Sequence, residues 1–172
     1  MKLLSGFLPF AVFAAVSHLI STLLALGLAA LTAVLLALRD RTAKKSLKLL
    51  DLGAALVFGG LAFYTACTGT AWSLVGVRLC TDLGLLAIVL VSLLVRQPFT
   101  LQYARELAPE RVWASPDFVR KNFRLSAAWG AAFAAMALAD LAMLHGFPLS
   151  FGALVTVGAL CCSLFYTTQT RG

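Results

Sequence analysis

Charge is scarce in this sequence, and acid is scarcer still: of 172 residues, 14 are Lys or Arg and seven are Asp or Glu. An ordinary soluble domain carries about 25% charged residues. The 12% here is too little to cover such a surface. Catalytic signatures are missing too. There is no H-E-x-x-H, no G-x-S-x-G and no phosphate-binding glycine loop, which argues against a zinc protease, an α/β-hydrolase or a P-loop enzyme. The four cysteines, Cys67, Cys80, Cys161 and Cys162, form no C-x-x-C and have no zinc-ligand spacing. The two histidines, His18 and His145, stand apart from any Cys, Asp or Glu motif and read as interfacial polar anchors. No metal and no cofactor is expected. The adjacent Cys161 and Cys162 read as apolar packing, and a Cys67–Cys80 disulfide is disfavoured because Cys80 falls below the membrane surface.

What is present is apolar. Hydrophobic residues make up 61% of the chain and the mean hydropathy is +0.93, more apolar surface than one soluble core can bury. The fold class is therefore an all-α integral membrane protein, a single membrane domain over 1–172. Since roughly 20 apolar residues cross a bilayer as a helix, five spans are expected, near 18–38, 49–67, 74–95, 125–144 and 148–167. The net charge of +7 would suggest nucleic acid in a soluble protein. Here the cations gather in "RDRTAKKSLK" and in 96–124, whereas "TGTAW" and "HGF" have none, so the positive-inside rule accounts for them and no nucleic acid is expected. Segments 39–48 and 96–124 are then expected to be cytoplasmic, 68–73 and 145–147 to lie outside, and the C-terminus to be cytoplasmic.

Two stretches do not fit a plain span. The apolar run from Phe7 to Leu38 is too long for one upright helix, and Ser17, His18 and Ser21 interrupt it, so a re-entrant or interfacial segment at 4–16 is expected before the first span. A cleaved leader is the competing reading of "MKLLSGFLPFAVFAAVS"; retention is expected. In the cytoplasmic loop 96–124, Phe99, Tyr103 and Leu107 follow one another at intervals of four, with Gln102, Arg105 and Glu106 on other faces. That spacing predicts an amphipathic interfacial helix ended by Pro109, with Trp113 as an aromatic anchor. Ser115, Pro116 and Asp117 then supply an N-cap, a proline at the first helical position and a first-turn acid, so the next helix starts before the membrane.

Charges within spans are costly unless paired or wet. Arg78 and Asp82 are four apart on the third span, and Asp140 sits near the end of the fourth. Arg78 and Asp140 fall at matching depth, so an Arg78-centred bridge to both carboxylates is expected, within an outward-facing polar cluster that also takes in His18 and Tyr64. Asp51 reads as a first-turn acid beside a basic loop. Glycines at 53, 59, 60, 130, 152 and 158, with the alanines of 127–142, read as close helix contacts.

"FLPFAVF", "VFGGLAF", the proline of "RQPF", "EL" at 106–107, "VW" at 112–113 and "LSAAWGAAFAAMALAD", in this order along nearly the whole chain, resemble the intracellular septation protein A (YciB-like) family. The chain departs from that pattern at Ser126 and Asp140, both asparagine in the family. The resemblance implies a five-span bacterial inner-membrane protein of cell-envelope maintenance, septation and membrane homeostasis, without catalysis. Expected partners are membrane lipids, division or cell-wall elongation proteins, and further copies of the chain. The rival readings are a small transporter or channel using the polar cluster, and a membrane-embedded lipid-modifying enzyme.

Overall fold

The computed structural model describes residues 6–17, 19–42, 48–70 and 72–170. Among them are helices α1 (Leu8–Ser17), α2 (Thr22–Thr42), α3 (Leu49–Thr68), α4 (Leu74–Leu94), α5 (Thr100–Arg105), α6 (Pro116–Leu144) and α7 (Leu149–Gln169), with a single 3-10 turn at Glu110–Val112. No strand occurs among the described residues. Five of these helices, α2, α3, α4, α6 and α7, are long and apolar enough to cross a membrane.

Local chemistry sets the helix boundaries. The prolines at 9, 98, 109, 116 and 148 all stand in or just ahead of the first turn of a helical segment, where a missing N–H costs nothing. Ser115 caps α6, its Oγ accepting from the Phe118 N–H at 3.2 Å. Ser21 accepts from the Leu24 N–H at 3.3 Å. The first span thus begins at Thr22 rather than 18, and it continues through Arg39, Asp40 and Arg41, which the sequence pattern had assigned to a loop. Helices α4 and α6 end alike. Gln97 N–H reaches Ser92 O at 2.9 Å and Arg96 N–H reaches Leu93 O at 3.0 Å; Phe147 N–H reaches Ala142 O at 3.2 Å and Gly146 N–H reaches Met143 O at 3.1 Å. Both are Schellman closures, which put the C′ residue in the left-handed region. Gly146 takes φ 101° there, but at the first closure it is Arg96, at φ 56°, that must do so.

The chain forms two compact units, Met1–Gly84 and Leu85–Gly172. In the first, α1 packs along α2 and α2 along α3. Ala25, Ala29 and Ala33 put small side chains every fourth residue on the buried face of α2, so the neighbouring helix comes close. Phe10 and Phe13 meet Phe58 with ring centroids 5.2 and 5.5 Å apart. In the second unit α6 packs against α7, and α5 against α6. Trp129 and Phe133 are buried in it, and the Trp129 indole N–H donates to Thr167 Oγ1 at 3.2 Å.

The glycine expectation needs correcting. Gly130 lies against Val89 and Gly152 against Met143, but Gly60 and Gly158 face open space. A close approach in the first unit is at Gly84, which sequence spacing did not single out: a Cβ there would sit 2.6 Å from Val57 Cγ2. Cys161 and Cys162 are also exposed rather than packed. Helix α7 is buried over little of its length, so these side chains look outward.

Candidate functional site

Two polar centres stand at helix ends, one in each unit. The first is built on the buried stripe of α2, where positions 26, 29, 33, 36 and 40 recur every three or four residues. The last of these is Asp40. Its carboxylate, 1% exposed, receives Lys48 Nζ at 2.6 Å, and Lys48 itself is only 2% exposed. Arg39 adds a contact to the other oxygen at 3.4 Å from a largely exposed position. Asp51, in the first turn of α3, is buried among the charges of Lys48, Asp40 and Arg39. Its Oδ1 makes no hydrogen bond.

The second centre ties the 96–124 segment to α6. Ser92 Oγ donates to Val89 O at 2.7 Å and accepts the Phe99 N–H at 3.2 Å. Thr100 N–H donates to Ser126 Oγ at 3.3 Å. Thr100 Oγ1 is 2.9 Å from both Asn122 O and Ser126 Oγ. With the threonine hydroxyl donating to Asn122 O and the serine hydroxyl donating back, every proton in this buried web has an acceptor. The web explains why α5 is held inward: Phe99, Leu101 and Tyr103 are all buried.

Helix α5 ends at Arg105, two residues short of Leu107. Both the Leu107 and Ala108 N–H groups fall back on Ala104 O, and Pro109 disfavours helical backbone at the residue before it. Leu107 is consequently 55% exposed and does not extend the Phe99–Tyr103 face. Arg105 is exposed, with its guanidinium 5.7 Å from the centre of the Trp113 ring, and Trp113 donates its indole N–H to Ala108 O at 3.0 Å. Glu106 is half-buried beside them.

The residues of the expected polar cluster are distributed as follows. Arg78, half-buried, and Asp82, buried, lie one turn apart on α4 in the first unit. Asp140 is fully buried on α6 in the second unit, on the stripe that carries Ser126, Trp129 and Phe133. Tyr64 is 49% exposed, its ring 5.9 Å from that of Trp72. His18 lies outside the described residues. His145 caps α6 and holds Leu141 O at 2.9 Å through Nδ1. Sequence reasoning missed Asp40, Lys48, Ser92, Thr100 and Asn122. Periodicity carried a signal for Asp40 and Asn122, since both extend buried stripes into segments that composition marks as polar.

Searches with this chain found no matching protein-family model, no matching curated protein and no matching solved structure. The class is therefore set by the helices themselves: a multi-pass membrane protein.

Proposed function

We propose that this chain is a non-catalytic protein of a bacterial inner membrane that serves envelope maintenance by engaging lipids and partner proteins from its basic, cytoplasmic side. The observation that carries this reading is the buried web of Thr100, Ser126 and Asn122. It fastens 96–124 to α6 as a fixed platform, whereas a mere connecting loop needs no such anchoring. Arg96, Arg105, Arg111, Arg120, Lys121 and Arg124 are all exposed on the platform and the helix that leaves it. The motifs that resemble the septation protein A family support the envelope part of the reading. The charge distribution between spans supports a cytoplasmic platform and C-terminus.

The N-terminal helix reads as re-entrant rather than interfacial. Phe58, which Phe10 and Phe13 contact, is the tenth of the 20 residues of α3, near mid-membrane depth if α3 crosses the bilayer. A ten-residue helix is only about 15 Å long, half a hydrocarbon core.

The rival transporter reading draws on the burial of Asp82 and Asp140. Complementation of cells lacking the protein separates the two. With expression and melting temperature checked, Arg78→Gln, Asp82→Asn and Asp140→Asn should keep envelope integrity under osmotic and detergent stress, while Arg105→Gln with Arg111→Gln should impair it. Loss of function on neutralising the intramembrane charges in folded protein, with the platform variant unaffected, favours the transporter instead.

A further inference from the structure

The polar start of α6 and the last turns of α7 meet at one end of this helix pair, because only residues 145–148 join the two helices at the other. There they form an open cavity of about 280 Å³ lined by Asp117, Arg120, Lys121, Arg124, Tyr166 and Thr170. One water needs roughly 10–15 Å³ of such space, so the cavity has room for a polyatomic group. Three cations against one carboxylate leave it a net charge of +2. Among the described residues none of those three cations is held in an ion pair. Arginine forks, an ammonium and two hydroxyl groups facing one space are the donor set that phosphate oxygens require.

The depth of the cavity identifies the source of the phosphate. The 29 residues of α6 extend roughly 43 Å, against roughly 30 Å of hydrocarbon. Residues 125–144 are the apolar part, so Arg124 falls at the hydrocarbon boundary, with Arg120 and Lys121 a turn further out at headgroup level. Helical spacing places Ala131 and Leu138 below Arg124 on α6, and Cys162 and Val155 below Tyr166 on α7. Leu138 is 67% exposed and Cys162 is exposed as well. An apolar surface therefore continues inward from the basic cavity on both helices, as an acyl chain requires and a free anion does not.

We propose that this cavity binds the phosphodiester headgroup of an anionic phospholipid, the acyl chains lying along α6 and α7. The proposal rests on the lipid-engaging reading given above and names the lipid class. The test uses the full-length chain purified in neutral detergent and titrated with phosphatidylglycerol, with phosphatidylethanolamine and with inorganic phosphate, binding being read by native mass spectrometry and tryptophan fluorescence. Phosphatidylglycerol should bind more tightly than phosphatidylethanolamine, and millimolar phosphate should not displace it. Arg120→Gln with Arg124→Gln should weaken binding about tenfold or more. Arg96→Gln with Arg111→Gln, an equal loss of exposed charge outside the cavity, should change it less than about twofold on the same reasoning. Tyr166→Phe with Thr170→Val, which alters no charge, should weaken it measurably. Equal losses from the two arginine pairs, equal affinity for the two lipids, displacement by phosphate, or unchanged binding in Arg120→Gln with Arg124→Gln would each overturn the proposal. Binding is read on purified protein, so its failure is distinct from a failure of complementation, which would instead sink the envelope reading.

Discussion

Lys48 Nζ lies 2.6 Å from Asp40 Oδ2, and both side chains are almost wholly buried where α2 ends and α3 begins. A buried ion pair is costly to break because one charge is left without a partner; replacing both partners is often nearly neutral. Lys48 also stands beside the buried Asp51. Lys48→Met should therefore cost about 3–5 kcal/mol. Lys48→Met combined with Asp40→Asn should cost clearly less, as a thermal melt in detergent would reveal. Losses that add would show that the two groups act independently.

Thr100 uses both its N–H and its hydroxyl to hold the platform. Thr100→Val leaves buried partners of that hydroxyl unsatisfied and should cost about 1–3 kcal/mol, whereas Thr100→Ser should cost little. The local readout is trypsin cleavage after Arg105 and Arg111, which should speed up about tenfold for each 1.4 kcal/mol if opening precedes cleavage. Unchanged cleavage in Thr100→Val would mean that the platform is held by other contacts.

At Gly84 the space for a side chain is taken by Val57 Cγ2. Valine is stiff about χ1 and cannot swing far aside, so Gly84→Ala should destabilise by about 1–3 kcal/mol. Adding Val57→Ala should recover part of that loss. A double variant no better than Gly84→Ala would place the strain elsewhere.

Arg96 occupies a left-handed backbone position at the closure of α4, where the matching closure of α6 uses Gly146. That conformation costs an L-residue roughly 1–2 kcal/mol, partly offset in Arg96→Gly by the extra freedom of unfolded glycine. Arg96→Gly should be more stable by about 0.5–1 kcal/mol, and Arg96→Val less stable than the parent. The reverse order in melting temperature would refute the strain argument.

With the native cysteines replaced, a cysteine at Pro109 should resist an impermeant thiol reagent in intact spheroplasts, while one at Gly69 should label. Labelling at Pro109 from outside would invert the proposed topology and move the headgroup cavity to the other leaflet.

The five apolar helices were legible in the sequence because each depends on one local quantity, a run of apolar residues long enough to cross hydrocarbon. The start of α6 was legible for the same kind of reason: Ser115, Pro116 and Asp117 carry their capping chemistry within a single turn. The end of α2 was not. Arg39, Asp40 and Arg41 look like loop by composition, yet Asp40 stays in the helix and turns inward to Lys48. Nor was the length of α5, where the spacing of Leu107 matched a helical face that the backbone leaves at Arg105. The pairing of Asp40 with Lys48, the hydroxyl web of Thr100 and Ser126, the contact at Gly84 and the cavity between α6 and α7 all depend on which faces of separate helices meet. Helical periodicity assigns a residue to a face of its own helix, but only packing decides what that face touches, and in these places the tertiary structure made the decision.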